Sequence, residues 1–456
     1  MQERYQQELS RELNVFESVL ITLSCVSPAS AVFIIVPVLF SGFGTVSFVS
    51  MLIASLIGIA MALCWAELGA AYPLTGGDYC IVNRAIGPAW GFATFSVFLV
   101  LAPCILPLFA LGLGGYLKVV IDVDPKLLAV LATVAAAVVA IFKVRIAAAI
   151  SGVFLAVEIV ALAVVAYLGF AHAERPMTEL LHPMVTDANG VAAPATFTLI
   201  LTSLAVAVFS QAGFNTPTYL SEETAGPSAG IARAVLWSLF AVVVTMMIPI
   251  TAVLLGARSI VELGKTPDLT AFVVDRGGAT LNVILSLAIA GAIFNAMIAI
   301  FIVNARLLYS SGRDQAWPER INASFARIHS TYRTPWFAVV AIAAVQIGVI
   351  LSMDIVSLTT FISVFFGIAY CLIALAAIVS RLKDRERPRP YRMPLWPLPP
   401  LLAFVALAYV IFQQSAKDLW IAAITIALSL GYYFGYLARR PQERWLMKEA
   451  PVDADA

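Results

Sequence analysis

Ser27-Pro28-Ala29-Ser30, inside the apolar run 15–39, and Gly213-Phe214-Asn215-Thr216-Pro217, late in the apolar run 195–218, decide how this chain folds. Each run is long enough to be one helix, yet each carries a helix-start signal within it. A hydroxyl residue followed by Pro is the pairing expected at an N-cap and the first helical position. Inside a membrane helix it says that one helix stops and another starts. Half-helix ends leave N–H and C=O groups without partners, and these cannot face lipid. They must line a cavity. A simple proline kink is the competing reading of Ser27-Pro28, and the repeat of the pattern in the later run argues against it.

The rest of the composition agrees with a membrane setting. Hydrophobic residues make up 61% and charged residues 12%, where soluble domains run to about a quarter charged. The net charge of +1 gives no field that would recruit nucleic acid. Five cysteines are scattered without CxxC or metal-ligand spacing, so free buried thiols are expected. The loop 172–194 holds His172 and His182, expected to be solvated. The polar start, Met1 to Asn14, lacks the basic-then-apolar pattern of a secretory leader.

Runs of about 20 apolar residues are needed to span a bilayer. Twelve are expected here, at 15–39, 46–70, 88–117, 127–142, 147–171, 195–218, 233–256, 279–309, 336–353, 356–380, 395–414 and 418–438. Lys118, Lys126, Arg175, Arg258, Lys265, Arg276 and Lys417 fall opposite the N-terminal side; the other 21 of the 28 basic residues fall on it. The positive-inside rule then places both termini in the cytoplasm, with 1–14 and 439–456 as short tails. The connector Arg381 to Arg392, with Pro388, Pro390 and Pro394, reads as a topology signal separating a ten-helix core from two terminal helices. Contact with anionic lipid is the alternative. Interrupted spans at matching places in two halves are the sequence pointer to a transporter's binding site.

Three ordered stretches carry a resemblance: Ala66-Glu67-Leu68 with Tyr72-Pro73, Gly76-Gly77, Tyr79, Arg84 and Gly87; Gly213-Phe214-Asn215 with Glu222-Glu223; and Arg306, Tyr309, Gly312-Arg313-Asp314, Pro318, His329 and Thr334-Pro335. Over roughly 10–380 this set resembles the amino acid–polyamine–organocation (APC) transporter superfamily. The resemblance implies an all-α LeuT-like fold. Two five-helix inverted repeats, 15–171 and 195–380, are followed by two further helices within 395–438. It also implies secondary transport of an amino acid or amine by alternating access.

A zwitterion needs donors for its carboxylate and acceptors for its ammonium. The N–H groups of Ala29, Ser30 and Ala31, at the start of the second half-helix, suit a carboxylate. The carbonyls near Ser24-Cys25-Val26, and those near Phe209, Ser210 and Gln211, suit an ammonium. Gly213 and Asn215 tolerate the left-handed backbone that ends a helix. Ser27 belongs to the same site, and its hydroxyl is able to cap its own half-helix. Phe209 reads equally as a gate over substrate or as core, and Phe214 equally as site lining or as core. Related proteins often have glycines in the first break, so the usual carboxylate pose is in question here.

Glu158 is the one ionisable residue deep in the fifth span. Counted from Val144-Arg145, it lands where many family members place a lysine that mimics a sodium ion. A mid-membrane carboxyl is costly and faces protein or water. A proton carrier, a sodium ligand, a partner for a substrate ammonium and a permanently neutral hydrogen-bonding group are the open readings. Glu67, Arg84, Glu222, Glu223, Arg306, Arg313 and Asp314 lie near the cytoplasmic ends and suit an ion-pair gate or a static fold role. For Asn295, in the eighth span, a helix–helix hydrogen bond is favoured. Pro103 and Pro107 imply a distorted third span, and Phe361, Ser363 and Phe365 are candidate lining.

The expectation is therefore an amino-acid transporter of the plasma membrane, coupled to H+ with Na+ as alternative. It needs no cofactor or metal, and its partners are the small-molecule substrate and the lipid membrane. An amine or polyamine carrier, or a sensor that binds without transport, are the rivals. No Ser/His/Asp set, HExxH or P-loop suggests an enzyme.

Overall fold

The computed structural model describes residues 13–445, apart from 74–75, 143–144, 187–191, 222, 227, 260–262, 264–267 and 333; of 145–151, 186 and 192 it describes the backbone alone. Glu222, and the tails for the most part, lie outside the described residues.

Helices dominate. The first run holds α1 (Val15–Val26), a helical turn Pro28–Ser30, a wider turn Ala31–Ile35 and α2 (Val36–Phe43). Next come α3 (Val46–Ala71), α4 (Asp78–Ala85), α5 (Pro88–Leu117), α6 (Pro125–Ile141), α7 (Arg145–Ala171) and α8 (Phe197–Ser210). The rest are α9 (Ala229–Gly256), α10 (Thr270–Arg313), α11 (Glu319–Phe325), α12 (Trp336–Ser352), α13 (Ile355–Lys383), α14 (Leu398–Phe412) and α15 (Ala416–Tyr432). Among the described residues, eight helices are long and apolar enough to cross a membrane, including the interrupted Val15–Phe43; α6, α8, α12 and α14 are apolar but shorter.

Local chemistry starts these helices where they start. Asn14 and Glu17 form a reciprocal cap on α1: the Glu17 N–H donates to Asn14 Oδ1 at 3.0 Å and the Asn14 N–H donates to Glu17 Oε2 at 2.9 Å. Asp124-Pro125 opens α6, with Asp124 Oδ1 accepting from the Lys126 N–H at 2.7 Å.

Some details go beyond the sequence expectation. The eighth run starts just after Gly278 (φ 83°), near its expected bound, but a short helix from Thr270 leads into it. The sixth run is helical only to Ser210. The loop before it is not bare: it forms a short antiparallel hairpin, Met184–Thr186 against Ala192–Pro194, with Met184 opposite Pro194. The described residues are mostly helical, and Thr45 ties this hairpin to the end of α2 by hydrogen bonds to and from the Met184 backbone.

The spans that position the site pack closely. α7 crosses α9 through Gly169 and Gly256, and a methyl group on Gly256 would sit 2.6 Å from the Gly169 Cα. Small residues let helix backbones meet where lipid supplies no hydrophobic drive. Trp65, Tyr72, Tyr116 and Tyr370 fill the interior, while Phe412, Trp420 and Leu428 project outward, as a lipid-facing surface requires.

Candidate functional site

The first run does break. α1 ends at Val26, and Ser27 takes φ 47°, ψ 77°. Such left-handed backbone costs a non-glycine residue about 1–2 kcal/mol, and strain of this kind concentrates at functional positions. The Ser27 hydroxyl does not cap the following turn, contrary to the sequence expectation. It donates to Glu158 Oε1 at 3.0 Å and lies 2.6 Å from the Ser30 hydroxyl. The Ala29 N–H faces the same carboxyl. The fifth-span carboxylate therefore sits at the half-helix end where a substrate carboxylate was expected. The Ala31 N–H, also expected to be free, donates to the Ser27 carbonyl at 3.2 Å. Glu158 is 2% exposed, and its Oε2 has no hydrogen-bond partner among the described residues.

The second break lies after α8. The Phe209 carbonyl accepts from the Ala212 N–H at 2.9 Å, so it is not the open acceptor expected for an ammonium. The Ser210 hydroxyl donates to the Ala207 carbonyl at 2.8 Å, and Gln211 Nε2 donates to the Met51 carbonyl at 3.1 Å and to Ser55 Oγ at 2.9 Å. Both side chains thus hold the break to its own helix and to α3. Gly213 carries φ 103° and Asn215 φ −80°, so only the glycine uses left-handed backbone. The chain resumes as a tight turn, Thr216–Leu220, rather than a second α-helical half.

The two breaks meet. A Cβ on Gly213 would stand 2.8 Å from Val26 Cγ2, at the end of α1. Phe209 packs on Phe366 with ring centroids 5.3 Å apart. Phe214 is 1% exposed and edge-on to Trp65 at 5.4 Å, a core position.

Asp78, at the start of α4, is the residue that sequence reasoning missed. It is 1% exposed. Trp65 Nε1 donates to its Oδ1 at 2.7 Å, and Asn215 Nδ2 donates to Oδ1 at 3.1 Å and to Oδ2 at 3.0 Å. The Tyr219 hydroxyl is a further hydrogen-bond partner. Burial raises its pKa from the ordinary 3.8 to about 6, against the opposing pull of these donors. Its signal in the sequence, an acid just after Gly76-Gly77, is also that of any first-turn acid.

The expected gate is arranged differently. Glu67 is 1% exposed and bound by Arg381, through Nε at 2.6 Å and also through Nη2, and by Arg389 Nη1 at 3.1 Å. The Met393 N–H adds a further bond at 2.8 Å. Arg387 lies over the Tyr72 ring at 4.1 Å and donates to the Ala71 carbonyl at 2.8 Å. The connector 384–397 is therefore strapped to the end of α3, beyond the topology role expected of it. Arg306 is exposed and makes no ion pair with a described carboxylate, and Arg84 is not among the residues that bind Glu67. No group of three or more His, Cys, Asp or Glu that would hold a metal occurs among the described residues.

The described residues thus form a bundle of apolar helices in which two interrupted runs meet, each joined to a buried carboxylate. The match to the amino acid permease family model runs over residues 13–431, and the chain belongs to that family, within the APC superfamily. It is 24% identical over 418 residues to the serine/threonine exchanger SteT of Bacillus subtilis, covering 88% of this chain and 91% of the relative. To the branched-chain amino acid permease BcaP of Lactococcus lactis it is 23% identical, with 89% of each chain covered. To the methylthioribose transporter of Bacillus subtilis it is 21% identical, with 94% of each covered.

Proposed function

We propose that this chain is a secondary active transporter that moves an amino acid across the plasma membrane by alternating access, coupled to protons through Glu158. In this reading α6, α8, α12 and α14 also cross. That gives twelve spans in a LeuT-like arrangement: inverted repeats over 15–171 and 195–380, two further spans within 395–438, and both termini cytoplasmic. The observation that carries the reading is the contact of the two breaks at Val26 and Gly213, beside a carboxyl that holds Ser27.

The chemistry follows from who holds the half-helix end. Carbonyls at the end of α1 are suited to a substrate ammonium. The donors suited to its carboxylate already face Glu158, so the substrate carboxylate and the Glu158 anion compete for one place. Taking up a proton lets Glu158 give up these donors without leaving an unpaired charge in a low-dielectric site. Opening to water favours its anion and closure its acid, so a proton accompanies substrate through the cycle.

A second reading has its own support. The Glu158 oxygen without a described partner is suited to receive a cation directly, which favours an amine substrate. A family relative named for methylthioribose also shows that an amino acid is not the only cargo named in this family.

Reconstituted protein tests the readings together. Uptake of labelled L-serine, L-threonine, L-leucine and putrescine into proteoliposomes is measured with and without an inward proton gradient. Gradient-driven accumulation of an amino acid supports the transporter reading, and putrescine alone supports the second. Binding without flux contradicts both and leaves a sensor.

A further inference from the structure

Three of the four hydrogen bonds that the Asp78 carboxylate receives from neighbouring side chains involve the second break and the turn after it. We infer that Asp78 is a positioning residue for transport, acting through Asn215 and Tyr219 to tie the movement of the second break to the hydration of a buried carboxylate.

The geometry leaves Asp78 little other role. It is delivered by α4, a short helix outside the spans, on the membrane face where the chain begins. Gly77, just before it, takes φ 63°, and any side chain there would run into the Tyr219 ring. The loop is thus shaped to bring the carboxylate under the break. The titratable groups that interact with it are phenols, Tyr219 and Tyr370 of α13. Tyr79, next in the chain, interacts with Tyr219, and α3 presents the neutral Trp65. Glu67, two residues beyond Trp65 on α3, is tied to Arg381 and Arg389. Burial is the largest influence on Asp78, and hydrogen bonds from Trp65, Asn215 and Tyr219 oppose it.

The sign follows from linkage. Burial raises the Asp78 value to about 6 while Trp65, Asn215 and Tyr219 enclose it. A proton therefore favours the closed break, and loss of the proton favours an opening that hydrates the carboxylate. Asp78→Asn imitates the protonated form and removes the titration.

The inference rests on the transport reading, but hydrogen–deuterium exchange on the full-length detergent-solubilised protein tests it without any substrate. The readout is exchange in segment 211–220, corrected for intrinsic rates, between about pH 5 and pH 8. In the parent protein, exchange should rise several-fold through about pH 6, with residues 24–31 as an internal reference. Asp78→Asn should flatten that rise, and Asn215→Ala should raise exchange in the segment at both ends of the range. Uptake of L-serine and L-leucine should follow the same pH step at this face in the parent and not in Asp78→Asn. An unchanged pH step in Asp78→Asn, or undisturbed exchange in Asn215→Ala, overturns the inference. Should Asp78→Asn not fold, the parent series and Asn215→Ala still decide it. Exchange as expected with no uptake of L-serine, L-threonine, L-leucine or putrescine sinks the transport reading and leaves the positioning intact.

Discussion

The two breaks are each held by a buried carboxylate, and the two carboxylates are satisfied differently. At the first break, Glu158 engages Ser27 through one oxygen, and its other oxygen has no described partner. At the second, both Asp78 oxygens receive side-chain donors, from Trp65 and Asn215. The backbone differs too: the first break places a serine in left-handed conformation, the second a glycine. A buried acceptor without a donor costs about 1–3 kcal/mol. A fold keeps such a cost where the group has something to exchange. On the proposed reading, exchange of the coupling proton or of a ligand belongs to the first break, and the second carries a shape that the proton on Asp78 adjusts. Glu67, gripped by two arginines, is a third buried carboxylate, held by direct ion pairs.

The largest effect expected from breaking this comparison is at Ser30, fully buried beside Ser27. Ser30→Leu should cut uptake by about 100-fold while the protein still elutes as a folded species, since overpacking costs about 1–3 kcal/mol. Near-normal uptake at equal protein would remove the first break from the substrate path.

Glu67→Gln serves as the contrast in which a matched charge is lost. It leaves Arg381 and Arg389 facing a neutral amide, and breaking a buried pair costs about 3–5 kcal/mol. Thermal unfolding in detergent should fall by several degrees, with the pH dependence of uptake unchanged. A stable Glu67→Gln with altered pH dependence would instead make the strap part of coupling.

Gly213→Ala probes the contact between the breaks. It requires left-handed backbone and meets Val26, so a loss of about 1–2 kcal/mol is expected. Adding Val26→Ala should recover uptake in part, because it removes the collision and not the backbone cost. No recovery would mean that the two breaks act independently.

The smallest effect is expected for Ser27→Gly. Relief of about 1 kcal/mol of strain offsets a lost hydrogen bond to a carboxyl worth about 1.5–3 kcal/mol. Stability should fall by about 0.5–2 kcal/mol after this partial cancellation. The number of protons moved per substrate should change more visibly, measured by reversal potential.

How much of this was legible depended on how local each signal was. Ser27-Pro28 and Gly213 announce their breaks within a few residues, because hydroxyl-Pro pairs and glycine act on the backbone itself. The competing kink reading fails on the left-handed Ser27. That the second break leads into a tight turn was not legible, since Thr216-Pro217 starts either kind of helix. Glu158 stood out as an acid in an apolar span, but its bond to Ser27 crosses 131 residues of sequence. Asp78 was hidden because its partners come from α3 and from two places after α8. Glu67 read as an ion-pair or fold residue, but its partners were hidden: the arginines lie 314 and 322 residues away, at the end of α13 and in the connector after it.

The central claim is that Glu158 is the group that exchanges its proton while the first break opens and closes. Glu158→Gln keeps the shape and the Ser27 contact but cannot titrate. The direct measurement is uptake of labelled amino acid into proteoliposomes against imposed pH gradients, with and without Na+. The account predicts that Glu158→Gln retains substrate binding and exchange but loses accumulation driven by the proton gradient. Undiminished proton-driven accumulation in Glu158→Gln would contradict it.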